Sequence, residues 1–450
     1  FKQKTAYEIM PSLVGSEMCI RDSLRGKIHN NLGALYNARG DCDRAISTYL
    51  RCIPDFESTA NEIGLAQVYN NLGMSFASKG DWENAAGYYE KSLQISRKID
   101  EPELVALTYL NLAQLHVDTS SPTQAEEYCR LALSILRDLD DQLGIAEAYK
   151  ILGIAERLNK NWSKARYYFE QSIMLNERCS SPLGLAEAYF EFGLMCRDAG
   201  RNEEAHSLLS KSLSIFEKLK ASKDIESVRT EVSKLDRLYL NIIEALGAAV
   251  ENKDPYTMGH SSRVAYYSLM LARKLGLPGE DVRGILIAAY LHDIGKIYVE
   301  DEILNKPGKL TPLEFESIKR HPEMGVASLS AVEFPWNVKE SILYHHERFD
   351  GSGYPAGLKG DDIPIGAQII AIADFFDAMT SDRSYRPAWS QEQTLAIIVN
   401  NKGVLFKSEM VDAFVELVEQ GIIRADSKAR YTMSALWKRC SERVAVTANR

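Results

Sequence analysis

Leu72 to Ile95 reads LGMSFASKGDWENAAGYYEKSLQI, and its pattern of residue types returns every 40 positions along the first half of the chain. Leu32-Gly33, Leu72-Gly73, Leu112-Ala113, Leu152-Gly153 and Phe192-Gly193 form one column pair. Ala45, Ala85, Ala125, Ala165 and Ala205 form a second column. Tyr49, Tyr89, Cys129, Phe169 and Leu209 stand four residues further on, and Ile53, Leu93, Leu133, Ile173 and Leu213 eight further on. Spacings of four and eight lie along one face of a helix. The Gly/Ala columns mark where two antiparallel helices must approach closely. Turn signals sit between them at Gly40-Asp41, Gly80-Asp81, Asn159-Lys160-Asn161 and Gly200-Arg201-Asn202. Each unit is therefore expected to be a helical hairpin, and five of them to stack into an all-α solenoid.

The Leu-Gly, Tyr, Ala and aromatic positions resemble the tetratricopeptide repeat, with the unit lengthened to 40 residues, over residues 24–220. Such a stack implies a concave face that holds a protein or peptide segment, or else a scaffold; the sequence does not name the partner. The column Tyr69, Tyr109, Tyr149, Tyr189 reads as packing between repeats. Ahead of the repeats, AYEIMPSLVGSEMCIRDS (Ala6 to Ser23) has no helical period and resembles translated adapter read-through, so residues 1–23 are set aside as non-native or disordered. After them, Ile225, Val228, Val232, Leu235, Tyr239, Ile242 and Leu246 alternate steps of three and four. This a/d seam in a connecting helix at 221–250 either pairs with a second copy, giving a homodimer through 225–246, or packs on a neighbouring helix.

Composition narrows the classes. A chain of 450 residues, 45% apolar, has material for two or three cored domains. Its net charge of -9 argues against duplex nucleic acid as a partner, so an anionic ligand must meet a local patch. The seven cysteines (Cys19, Cys42, Cys52, Cys129, Cys179, Cys196, Cys440) form no CxxC pair and read as reduced core thiols. No apolar run is long enough to cross a membrane and no secretory signal is recognisable, so the expectation is a cytoplasmic protein without a membrane partner.

From 251 onward the chain again reads as helix after helix, broken at Leu277-Pro278-Gly279, Lys306-Pro307-Gly308, His321-Pro322, Phe334-Pro335, Asp350 to Pro364 and Arg386-Pro387. Thr311-Pro312-Leu313-Glu314 reads as a capping box, and the helix it starts should end near His321. The basic stretch beyond Ile422 reads as a solvated terminal helix. The chemistry concentrates around YLHDIGK (Tyr290 to Lys296). Of eight histidines, His260, His292, His321, His345 and His346 fall between positions 260 and 346, and Asp374 follows on another apolar helix. Burying so many imidazoles with Asp293 and Asp374, and no cation, would cost more than a small domain tolerates. A mixed imidazole and carboxylate set suits iron, manganese or zinc better than calcium or magnesium. There are too many ligands for one tetrahedral zinc. A dinuclear site bridged by Asp293 is the economical arrangement, and two ions roughly 3.5–4 Å apart suit phosphoester hydrolysis.

ENKDPYTMGHSSRV (Glu251 to Val264), LHDIGKI, LNKPGKLTPLEFE, His321-Pro322, HHERFDGSGYPAGLKGDDIP (His345 to Pro364) and ADFFDAMTSDRSYRP (Ala373 to Pro387) resemble the HD-GYP domain of the HD phosphohydrolase superfamily. The resemblance implies an all-helical metal phosphohydrolase domain at 251–450 that hydrolyses cyclic di-GMP to the linear dinucleotide and/or GMP. It implies two divalent ions, iron or manganese, held by His260, His292, Asp293, His321, His345, His346 and Asp374. By the same resemblance Lys296, set four residues after His292 and so expected on the same helical face, meets the scissile phosphate. Gly353, Tyr354 and Pro355 would form a substrate-side turn, and Arg383 and Arg386 would contact phosphate. Two departures stand out: Tyr256 occupies a position where some members carry a glutamate that binds a third metal, and the Phe-Asp-Pro signature is replaced by Phe406-Lys407-Ser408. Other readings are a non-catalytic cyclic-dinucleotide receptor or scaffold, and a hydrolase of another cyclic dinucleotide or nucleotide.

Overall fold

The computed structural model describes residues 24–253, 258–306, 308–382 and 386–441, so the readings on 1–23, Tyr256 and Arg383 lie outside the described residues. It divides into two compact units, one up to Val232 and one from Ser233. Both are helical, and among the described residues the only extended pairing is the isolated bridge Lys402–Phe406.

The first unit is built from α1 (24–38), α2 (Cys42–Ser58), α3 (Glu62–Ser78), α4 (Trp82–Lys98), α5 (Pro102–Asp118), α6 (Pro122–Asp138), α7 (Gln142–Leu158), α8 (Trp162–Arg178), α9 (Pro182–Asp198) and α10 (Asn202–Leu219). The columns meet as expected. A Cβ on Gly33, Gly73 or Gly153 would lie 2.5–2.6 Å from the ring of Tyr49, Tyr89 or Phe169, so glycine admits the aromatic of the partner helix. In the same register Ala113 replaces the glycine and Cys129 the aromatic, and both are fully buried. Three members of the Tyr column, by contrast, pair inside their own hairpin: Tyr69 lies 6.0 Å from Tyr88, Tyr109 5.9 Å from Tyr128 and Tyr149 5.9 Å from Tyr168.

The turns follow a period of half the repeat. Helices α1 to α9 each close with a bond from the residue three past the end to a carbonyl five residues back, as in Asp41 N–H to Tyr36 O, Asn61 to Phe56 and Ser121 to His116. This is a Schellman closure, and it puts one residue per turn in the left-handed region. Gly40, Gly80 and Gly200 fill that place, but so do Ala60, Asp100, Ser120, Asp140, Lys160 and Ser180, with φ of 51–59°. Glycine punctuation marks only some of these reversals, because elsewhere helix packing and the next N-cap hold a non-glycine residue in the same geometry. Asn61 and Asp141, for instance, accept the N–H of Gly64 and Gly144.

Helix α11 (Ser222–Lys253) contains the division between the units. Of its seam, Leu235 and Tyr239 are buried in the second unit, where Tyr239 lies 5.5 Å from Trp336, whereas Ile242 is exposed. The remaining elements are α12 (His260–Lys274), α13 (Gly279–Leu291), a 3-10 turn at Ile294–Tyr298, α14 (Asp301–Leu304), α15 (Pro312–Lys319), α16 (His321–Ser328), α17 (Lys339–Leu343), a 3-10 turn at Gly360–Asp362, α18 (Ile365–Thr380), α19 (Gln391–Asn400), α20 (Ser408–Glu419) and α21 (Met433–Ser441). The α13 stretch Ile285–Ala289 and, on α18, Ile369, Ile370, Ile372, Ala373 and Phe376 are almost fully buried, as expected for helices in the centre of a domain. The capping box at Thr311 and Glu314 is present, and α15 gives way to α16 at His321. The solvated terminal helix is corrected: Met433, Leu436 and Trp437 of α21 are buried in the core. Apolar residues at 433, 436 and 437 form one face of that helix, and the basic residues cover the other.

Candidate metal centre

Helix ends and two central helices deliver the polar residues. His260 opens α12, His292 closes α13 as its C-cap, Asp293 precedes the 3-10 turn, and His321 opens α16. His345 and His346 follow α17, and Asp374 projects from α18. Residues separated by more than 100 positions thereby converge. His260 Nε2 lies 3.2 Å from Asp374 Oδ1, and His292 Nε2 lies 3.9 Å from the same oxygen. Asp293 stands between two groups: Oδ2 is 3.4 Å from His292 Nε2 and 3.8 Å from His260 Nε2, while Oδ1 is 3.4 Å from His321 Nε2. The ligand atoms of His321, His345 and His346 lie within 4.8 Å of one another, as do those of His260, His292 and Asp374.

The protons on these rings are arranged for cation binding. His292 Nδ1 bonds Ala289 O at 2.7 Å, His321 Nδ1 bonds Ile318 O at 2.7 Å, and His345 Nδ1 bonds Ile342 O at 2.6 Å. His260 Nδ1 instead meets Asp377 Oδ2 at 2.7 Å. With Nδ1–H donating outward, each Nε2 lone pair faces the centre. His292 Nε2 is buried without a hydrogen-bond partner, and His321 Nε2 faces His345 Nε2 at 3.4 Å. Two lone pairs opposed at that distance, beside an orphaned buried nitrogen, fit a cation between them.

Electrostatics agree. Burial, helped by His346 and Lys296 against the pull of Asp293, pushes His321 down to about 3, and burial with the imidazoles of His346, His292 and His321 holds His345 well below the ordinary range. Burial pushes His346 down to about 4 against the pull of Asp374 and Asp293. Neutral imidazoles are the form that ligates a metal. For His260 burial also acts downward, but Asp374 and Asp377 outweigh it and raise the group to about 9, so a cation and a proton compete for this nitrogen. Burial disfavours the ionised Asp293 carboxylate, yet Lys296 and His292 hold it well below the usual carboxylate range.

The other expected residues fall into three sets. Lys296 is at the centre, with Nζ 2.6 Å from Asp293 Oδ2. The reason given for it is corrected: His292 to Lys296 is not one helical turn, because α13 ends at Leu291 and a 3-10 turn folds the lysine onto Asp293. Tyr354 packs tilted against His346, with ring centroids 4.8 Å apart, and Gly353 is needed for close approach, since a Cβ there would meet Arg348 N and Glu347 Cα at 2.4 Å. Arg386 is engaged elsewhere: its guanidinium donates to the carbonyls of Ala378 at 3.0 Å and Met379 at 3.3 Å, at the end of α18. The sequence reading missed Glu347, buried beside the histidine pair, whose Oε1 accepts Ala356 N–H at 2.7 Å and Gly357 N–H at 3.0 Å and so ties down the turn around Tyr354. It also missed Asp377 and Arg263. A second aspartate three residues after Asp374, on the same helical face, was the signal available.

Residues 24–98 and 104–178 match the tetratricopeptide repeat family, and residues 244–410 match the HD domain family. The chain thus carries tetratricopeptide repeats in its first unit and an HD domain after them. Among curated proteins it is 39% identical over 215 residues to the cyclic di-GMP phosphodiesterase response regulator RpfG of Xanthomonas campestris pv. campestris, covering 47% of this chain and 54% of that one. It is 43% identical over 181 residues to a cyclic di-GMP phosphodiesterase of Thermotoga maritima, covering 40% and 49%. It is 41% identical over 177 residues to 3'3'-cGAMP-specific phosphodiesterase 2 of Vibrio cholerae, covering 39% and 34%. The chain thus spans about half the length, or less, of the relatives it matches.

Proposed function

We propose that the second unit is a metal-dependent phosphodiesterase that opens cyclic di-GMP to the linear dinucleotide and/or GMP, and that a protein or peptide bound to the repeats regulates it. The observation that carries this reading is Asp293, which presents one carboxylate oxygen to each of two imidazole groups. His260, His292 and Asp374 would hold one divalent ion and His321, His345 and His346 the other, with Asp293 between them and iron or manganese suited to the mixed donors. When bound, such ions supply Lewis acidity to a phosphodiester and acidify water at neutral pH.

The chain's own residues do the rest. Lys296 Nζ adds a positive charge beside Asp293 that can meet a phosphate oxygen as charge develops there. Tyr354, packed on His346 and fixed through Glu347, walls one side of the site and offers a ring face to a base. Each phosphodiester opened consumes one water: its oxygen bonds to phosphorus, the ribose 3′ oxygen leaves, and the proton ends on that oxygen. On the repeats, a hollow of about 420 Å³ between α7, α9, α10 and α11, lined by Lys150, Glu187, Phe190 and Glu191, has the size and polarity to take a partner's side chains.

A second substrate reading has a specific support, since relatives named for 3'3'-cGAMP are as similar as those named for cyclic di-GMP. The test is anaerobic purification with metal analysis, then incubation with each cyclic dinucleotide separately and chromatography of the products. Faster turnover of cyclic di-GMP supports the proposal. Faster turnover of 3'3'-cGAMP replaces the substrate, and no turnover with two ions bound makes the domain a receptor. Equal rates for the intact chain and one lacking 24–219, with and without cell extract, would remove the regulatory claim.

A further inference from the structure

Of the five histidines described above, His292, His321 and His345 anchor Nδ1 on a main-chain carbonyl three residues back, a bond that comes with the helix end itself. His260 opens its helix, and its Nδ1 meets a side chain, Asp377. Its ring is clamped between two carboxylates of α18 instead, with Asp374 at 3.2 Å from Nε2 and Asp377 at 2.7 Å from Nδ1. Both aspartates stand one turn apart on one helix, so what makes one a candidate ligand and the other an anchor needs a cause. Arg263 supplies it. One turn after His260 on α12, it is the largest fully buried side chain of the described residues. Its Nε lies 2.6 Å from Asp377 Oδ1 and its Nη2 2.9 Å from Asp377 Oδ2. The same guanidinium donates to Ser427 O at 3.0 Å, which fixes the fork against the segment leading to α21. Both Asp377 oxygens are therefore occupied, whereas among the described residues no arginine bonds Asp374, whose Oδ1 faces His260 and His292.

We propose that Asp377, locked by Arg263, is the positioning residue that sets the tautomer and aim of His260, so that the site formed by His260, His292 and Asp374 depends on it and the site formed by His321, His345 and His346 does not. The inference rests on the metal-centre reading, and its test separates the two. Asp377→Asn preserves size and one acceptor oxygen but loses the charge that pairs with Arg263. Arg263→Met/Asp377→Asn removes both charges, so that none is stranded in the core.

Metal-free full-length protein is titrated with manganese in a calorimeter, melting is followed by circular dichroism, and the ring nitrogen signals of His260 are assigned against His260→Gln. Wild type shows a protonated Nδ1 on His260 and binds two ions. Both variants are expected to hold one ion as before and the other 10–100-fold more weakly, with kcat falling by more than KM rises and a weakened or lost Nδ1 proton signal. Unchanged affinity for both ions in the two variants would overturn the proposal. So would equal weakening at both sites in step with a lowered melting temperature, which marks a role in folding alone. Should wild type take up no metal, the metal-centre reading fails by itself and the ring signals still decide: a His260 indifferent to Asp377→Asn sinks the positioning role.

Discussion

The two units treat close approach and buried charge in opposite ways. In the repeats one contact is iterated: a glycine on the first helix of a hairpin admits an aromatic ring from the second, as with Gly33 and Tyr49 or Gly153 and Phe169. The obstacle to a larger residue is a side chain, which can shift. In the HD unit the tightest glycine meets backbone: a Cβ on Gly295 would sit 1.8 Å from His321 O. Buried polar groups differ in the same sense. In the repeats they bond within one repeat or to its neighbour, as when Ser92 Oγ donates to Ala66 O at 2.9 Å and Asn111 Nδ2 to Asn70 Oδ1 at 2.9 Å, whereas the HD unit joins His260 and Asp374 across the domain. Local iteration tolerates change one repeat at a time. A single long-range centre does not.

The strongest test of that contrast is Asp293→Ala, which removes the carboxylate between the two imidazole groups. Hydrolysis should fall to the detection floor while far-ultraviolet circular dichroism keeps the full helical signal. Full activity would dissolve the contrast, because the centre would not need its middle. Next, Gly295→Ala should cost about 3 kcal/mol or more, since backbone cannot yield as a ring can, and should cut activity with stability. Urea unfolding read beside turnover checks it.

Acid should then separate the units. His321 and His346 stand at about 3 and about 4 in the folded protein against an ordinary 6.5. Below pH 6.5 the unfolded chain takes up protons that the folded site refuses, so stability of the metal-free HD unit falls as pH drops from about 6.5 toward 4. His260, raised to about 9, has the other sign: its contribution is complete below 6.5 and fades only as pH climbs through 9, so it does not alter the acid limb. The loss should be on the order of a few kcal/mol. Fluorescence of Trp336, Trp389 and Trp437 after Trp82→Phe and Trp162→Phe reads the HD unit alone; a flat profile there with chelator present would contradict the neutral buried imidazoles. Gly73→Ala follows at about 1–3 kcal/mol, with activity retained in the stable fraction, because only the Tyr89 ring must move.

Legibility in the sequence follows the same division. The repeat columns showed themselves because each small residue and its partner recur at a fixed spacing, even where Ala113 and Cys129 trade sizes together. The seven candidate ligands were legible because histidines are scarce and cluster; the structure brings them together, with Lys296 against Asp293. What escaped was long-range or context-made. No local pattern shows that Arg263 reaches Asp377 and Ser427, or that Arg386 is taken up by the carbonyls ending α18. The burial of α21 depends on a core assembled from segments far upstream.

The smallest effect tests whether the repeat turns are set by iteration or by residue type. Lys160 is exposed and holds φ of 59° in a turn whose counterparts at 40, 80 and 200 are glycine with φ of 77–78°. A side chain in that region strains the backbone by roughly 1–2 kcal/mol, while glycine there adds about 0.5–1 kcal/mol of chain entropy to be lost on folding. Lys160→Gly should therefore stabilise the repeats by about 0.5–1 kcal/mol, seen as a higher urea midpoint with unchanged slope and unchanged turnover. The sign carries the argument. Stabilisation means that the closure from Asn161 N–H to Glu156 O dictates the left-handed residue and Lys160 merely endures it. Destabilisation would mean that the lysine contributes contacts of its own, and the turn at 160 would no longer be interchangeable with those at 40, 80 and 200.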